Sequence, residues 1–128
     1  MVDDDWYALR NCVHSRQFGL ASALLRKKPS LVEARNGIGE TVLHFLAVEN
    51  DIEGVTWLHE KGFSLDARNE FGTPLAFEVA ELGYQELLLW LRAHNADLDA
   101  VDGAGMTLRA YLTDRDRADM VAFLDKLK

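Results

Sequence analysis

The sequence is short of most features that would announce a location or a chemistry. Cys12 is its only cysteine, so no disulfide can close within the chain, and a reducing compartment such as the cytoplasm is the expected location. No apolar run reaches the roughly 18 residues that a membrane-crossing helix needs. Asp3, Asp4 and Asp5 stand where a secretory leader would carry basic residues, and no apolar stretch follows them, so no leader is expected. Basic charge is also scarce. Lys and Arg number 14 against 21 Asp and Glu, for a formal net charge of −7. Nucleic-acid binders draw most of their affinity from neutralised phosphates, so this balance argues against a nucleic-acid partner.

What the sequence does have is a period. Asn36, Asn69 and Asp102 recur every 33 residues, as do Ala34, Ala67 and Ala100, and Leu25, Leu58, Leu91 and Leu124. A fixed spacing of this size marks one supersecondary unit stacked on its own copies. With 48% apolar residues, the 128-residue chain is expected to form a single domain, 1–128, of four units at about 3–35, 36–68, 69–101 and 102–128. Charge is uneven among them: +2, −4, −5 and 0 in order, so the middle two together carry −9. A basic partner is the simplest electrostatic complement.

The second unit is the clearest. Asn36-Gly-Ile-Gly39 has turn chemistry, and Thr41 can cap a helix whose apolar face is Leu43, Leu46 and Ala47. Asn50-Asp51 interrupts that helix. Ile52, Val55, Trp57 and Leu58 supply a second one, which ends near Gly62. Phe63, Leu65 and Ala67 lead to the next turn. The segments Gly39-x-Thr41-x-Leu43-His44-x-x-Ala47 and Gly62-x-x-Leu65-x-Ala67 resemble the ankyrin repeat, as does Asn95-Ala-Asp97-Leu98-Asp99-Ala100 in the third unit. The resemblance covers about residues 3–128 and is strongest in units two and three. It implies an all-α, ankyrin-like solenoid of helix-turn-helix repeats.

Unit three departs from the pattern. Gly72-Thr73-Pro74-Leu75 looks like the family's Thr-Pro-Leu but lies one residue early, whereas the fixed period puts Pro74 at the Thr position and Phe77 at the His position. A one-residue adjustment inside this helix is therefore expected. Pro74 suits a first helical turn, and either register leaves Glu78 near a normally apolar position. Unit one lacks the turn motif. Its helices are expected at about Trp6–His14, behind three acids that favour the N-terminal dipole, and at about Gly19–Lys27, with Leu20, Ala23, Leu24 and Leu25 inward. Unit four is expected to end in a helix with Met120, Val121, Phe123, Leu124 and Leu127 on one side and Asp119, Asp125 and Lys126 on the other. Such end units act as caps, and the array is expected to be self-contained.

The residue types that carry chemistry all have simpler readings. The resemblance gives His44 a structural role, hydrogen-bonding loop backbone. His59 and His94 are expected to lie close together on neighbouring second helices, but a zinc site would need a further ligand. Cys12 falls on the apolar side of the first helix and reads as a small buried hydrophobe. Gly37-x-Gly39 and Gly103-Ala-Gly105 lack the spacing of phosphate loops. Asp97 and Asp99 belong to a connecting segment, and Arg26-Lys27-Lys28 to a solvated helix end. No catalytic residue, metal or cofactor is assigned.

In ankyrin-like arrays partners meet the turn tips and the exposed side of the first helices. Carried onto this chain, that surface comprises Tyr7, Ile38, Glu40, Glu49, Glu70, Phe71, Glu81, Leu82, Met106 and Arg115. Ile38, Phe71 and Met106 are expected to form an apolar line, with Glu40, Glu49, Glu70 and Glu81 around it, as a basic partner with an apolar centre would require. The expected function is a monomeric, non-enzymatic protein-interaction module. The alternatives are a small immunity or antitoxin-type inhibitor of a basic toxin, a metal protein or enzyme, and self-association through the tips.

Overall fold

A computed structural model describes residues 3–127. It is all-helical: α1 (Asp4–His14), α2 (Phe18–Lys27), α3 (Val42–Val48), α4 (Ile52–Glu60), α5 (Leu75–Glu81), α6 (Gln85–Ala93), α7 (Leu108–Asp114) and α8 (Ala118–Lys126), with a short 3-10 turn at Pro29–Val32. Consecutive helices pack in pairs, α1 on α2, α3 on α4, α5 on α6 and α7 on α8. The odd-numbered helices then pack on one another in chain order. The core follows this layering. Trp6, Leu9, Leu43, Leu46, Leu58, Leu75, Phe77, Leu87, Leu91 and Leu112 are fully buried. Each such side chain contributes about 1.5–3 kcal/mol through burial.

Local chemistry sets the helix ends. The Asp3 side chain accepts from Asp5 N at the start of α1. Thr41 and Thr107 cap α3 and α7 by accepting from His44 N and Ala110 N. Pro74 takes the same place before α5 in the same extended conformation, and its missing N–H costs nothing at a helix start. At the other ends the chain turns through left-handed residues: Asn50, Gly83 and Asp116 after α3, α5 and α7, and Gly62 and Asn95 after α4 and α6. In each case the next N–H reaches back five residues, as in Asp51 N to Leu46 O, Tyr84 N to Val79 O and Arg117 N to Leu112 O.

Three expectations need correction. The one-residue adjustment in unit three does not occur. Thr41, Pro74 and Thr107 stand at the helix starts 33 apart, because Pro74 adopts the same extended conformation there although it makes no side-chain cap. The irregular step lies earlier, where left-handed Arg16 precedes Asn50 by 34 residues. In α2, Leu20 is 59% exposed and Ala23 is exposed too. The inward stripe is Ala21 with Phe18, Leu24 and Leu25, and a residue next to Ala21 in sequence points about 100° away from it. Finally, Phe18 is an anchor the pattern missed: it stacks on Trp57 at 5.2 Å.

Candidate protein-docking face

Before each of α3, α5 and α7 the chain forms the same tight finger. The Oδ1 of Asn36, Asn69 or Asp102 accepts from two backbone N–H groups, those of residues 38 and 40, 71 and 73, or 104 and 106. A side-chain oxygen thus replaces the partners a sheet would give this backbone. Gly39, Gly72 and Gly105, with φ of +78°, +78° and +83°, close the turns. Neighbouring fingers are joined by backbone: Glu70 N donates to Ile38 O, and Gly103 N to Gly72 O. Arg35 adds a second tie, its Nη1 donating to Gly39 O and Arg68 O at 2.6 Å each.

The period fixes which side chains line this face. Positions 38, 71 and 104 form the tips. Positions 49, 82 and 115 form a row beyond the last turn of α3, α5 and α7, and positions 45, 78 and 111 lie between, four residues back on the same helix face. Phe71 is 73% and Ile38 is 50% exposed. Glu70, Glu49, Leu82 and Arg115 are also exposed, and so is Tyr7 on α1.

The structure corrects parts of the expected face. Met106 is not a tip. It occupies the register of Glu40, is half-buried and packs on the core, and the tip equivalent is Ala104. The apolar line therefore consists of Ile38 and Phe71. Glu40 is not part of an acidic rim. It is 3% exposed, held beneath the finger by Asn36, whose Nδ2 donates to Oε1 at 3.2 Å. Burial pushes the Glu40 carboxyl above the usual range, an effect outweighing the opposing pull of His44. Glu81 is engaged internally, accepting from Tyr111 OH at 2.7 Å and pairing with Arg115 at 3.3 Å. Burial, then the Glu81 carboxylate, raises the Tyr111 hydroxyl. Glu49 and Glu70 remain as exposed acids.

Two arginines on this face make cation–aromatic contacts beyond those expected. The Arg10 guanidinium lies 5.4 Å from the Tyr7 ring and 5.3 Å from that of Phe45, and Arg115 lies 3.6 Å from the Tyr111 ring. The spacings Tyr7–Arg10 and Tyr111–Arg115, three and four residues on a helix, were the available signals.

Elsewhere, His44 is fully buried, and its Nε2 lies 2.7 Å from Glu78 Oε1, a carboxylate rather than loop backbone. This contact also accounts for the acid at the normally apolar position 78. His59 and His94 do meet, with ring centroids 5.7 Å apart, and His94 stacks on Trp90. Cys12 is half-buried against the core. Lys28 is drawn into ion pairs with Asp3 and Asp5, which splits the short basic run. No model of a known protein family matches the chain.

Proposed function

We propose that this chain is an ankyrin-type, non-enzymatic protein-interaction module that takes a basic protein or peptide on the face formed by its fingers and odd-numbered helices. The observation that carries the reading is Phe71. A large aromatic ring stands mostly in water at the tip of a finger whose backbone is tied to both neighbours. Leaving it exposed forgoes its burial free energy, and a rigid mount means little entropy is lost when a partner covers it. Ile38 extends the apolar anchor, and exposed Glu70 and Glu49 supply negative charge beside it. The four helical hairpins, the recurring Asn/Asp finger and the Thr-x-Leu-His cap support the ankyrin reading.

The test is affinity capture from the native lysate with the wild type and with a Phe71→Asp/Ile38→Asp variant. A partner of basic surface charge should be retained by the wild type, released by the variant and bound more weakly as salt rises. Retention by the variant would move the site off the fingers. Salt-insensitive binding would remove the electrostatic part of the proposal.

A further inference from the structure

Glu40 and Glu78 are carboxylates without a conventional counter-ion. The Glu40 side chain is 4% exposed and that of Glu78 is 22% exposed. Among the described residues, neither pairs with a Lys or Arg; their charged-group contacts run to His44 alone. Buried carboxylates normally require a cation, a proton or a metal. The Nε2 of His44 carries at most one N–H to donate. Glu78 Oε1 takes it at 2.7 Å, while Glu40 Oε2 lies 3.6 Å from the same nitrogen, too far to share it.

We propose that Glu40, His44 and Glu78 form a binding site for one divalent transition-metal ion of the Zn²⁺ type, joining the finger and α3 of the second unit to α5 of the third. One ligand atom from each residue lies within 4.8 Å of the others. One imidazole nitrogen and two carboxylate oxygens suit Zn²⁺ or Co²⁺ at about 2.0–2.2 Å, with water from the open Glu78 side filling the remaining position. The two finger asparagines are the supporting groups. Asn36 Nδ2 donates to Glu40 Oε1 at 3.2 Å and Asn69 Nδ2 to Glu78 Oε1 at 3.1 Å, which orients both carboxylates. The ion's two positive charges would neutralise both acids.

Binding displaces the Nε2 proton and leaves the imidazole proton on Nδ1, which is buried without a partner. That cost makes the site weaker than a zinc finger. The stoichiometry is one, because the equivalent positions in later units are Thr73, Phe77, Met106, Ala110 and Tyr111.

The competing imidazole pair, His59 and His94, sets the design of the test. Co²⁺ is titrated into the wild type, His94→Ala, Glu40→Gln and Glu78→Gln, and visible absorption and melting temperature are followed. The wild type and His94→Ala should bind one Co²⁺ and melt at a higher temperature when loaded, while each Gln variant should lose at least about tenfold in affinity. Absence of saturable binding by the wild type, loss of binding in His94→Ala, or unchanged binding in both Gln variants would overturn the proposal. X-ray absorption of the Co²⁺-loaded wild type decides the matter if a Gln variant fails to fold: one imidazole with oxygen ligands supports the site, and two imidazoles assign the ion to the surface pair.

Discussion

The joint between the first and second units and the joint between the second and third are built from different materials. Across the first, the ties are mostly side chains. Arg16 donates through Nη1 and Nη2 to Asp51 Oδ2 and Oδ1 at 2.9 and 2.7 Å, and His14 Nδ1 lies 3.3 Å from Oδ2. Arg16 itself is left-handed, an unusual state for a non-glycine residue, and as after the other helices the next N–H reaches back five residues, from Gln17 N to Cys12 O at 2.7 Å. Across the second joint, finger backbone also meets finger backbone, from Glu70 N to Ile38 O, beside the side-chain ties of Arg35 to Arg68 O, His44 to Glu78 and Tyr84 OH to Val48 O. Among the described residues unit one forms no finger, and the joint it makes with unit two carries an ion pair at its helix end in place of a finger-to-finger backbone bond. A repeat array can therefore keep its stacking while exchanging the groups that enforce it.

The largest test of this contrast is Asp51→Ala. It removes the carboxylate that Arg16 and His14 face and also the cap on Gly54 N. The expected loss is about 3 kcal/mol, the low end for breaking a buried pair because Arg16 keeps over a third of its side chain in water. Denaturant unfolding measures it, and a loss under about 0.5 kcal/mol would mean the ion pair does not hold the joint.

Next come two glycines with nearly the same φ. A Cβ on Gly39 would sit 2.6 Å from Glu70 N, whereas one on Gly105 would meet nothing within 4 Å. Gly105→Ala should cost about 1–2 kcal/mol, the left-handed penalty alone. Gly39→Ala should cost measurably more, because the neighbouring finger must move. Equal costs would show that the fingers do not support each other.

The two joints should also respond to pH with opposite signs. Burial opposes ionisation of Asp51, but the Arg16, Gly54 N and His14 contacts outweigh it and hold its pKa low. Its stabilising contribution is present above the unfolded aspartate value of about 3.9 and is lost as pH falls through the lower folded value. Glu40 is raised by burial, so the folded state holds its proton more tightly. Its term favours folding at low pH and fades as pH rises from about 4.3 through the raised folded value. Unfolding of Glu40→Gln and Asp51→Asn at a series of pH values should remove one slope each, and a Glu40→Gln profile parallel to wild type would rule out this role for Glu40.

The smallest effect is Phe71→Asp. With its ring mostly in water, the substitution should change stability by no more than about 0.5 kcal/mol, even as the proposed function requires it to abolish partner capture. A large drop in melting temperature would mean the ring supports its own finger instead.

Much of the fold was legible because its cause is local. Asn36, Asn69 and Asp102 each satisfy their own turn, and a cap or left-handed residue acts within a few positions, so the period and the helix limits could be read directly. A Thr-Pro string is a poor guide at Pro74, because the position requires only an extended residue able to start a helix. Leu20 misled because a short run of apolar residues does not say which way its helix is rotated. Met106 is no tip, because the 33-residue register pairs it with Glu40. The exposure of Phe71 could be anticipated from its place in a turn.

By itself, then, the sequence determined the unit, its repetition and its excess of negative charge, since these depend on composition and on contacts a few residues long. Only the tertiary structure decided which acids face water. It sank Glu40 beneath a finger and set Glu78 against His44, 34 residues away in sequence. It also tied Glu81 to Tyr111 and Arg115 of the next unit. Whether a carboxylate is solvated or buried depends on what the neighbouring repeat places over it, and residues a full period distant supply that cover.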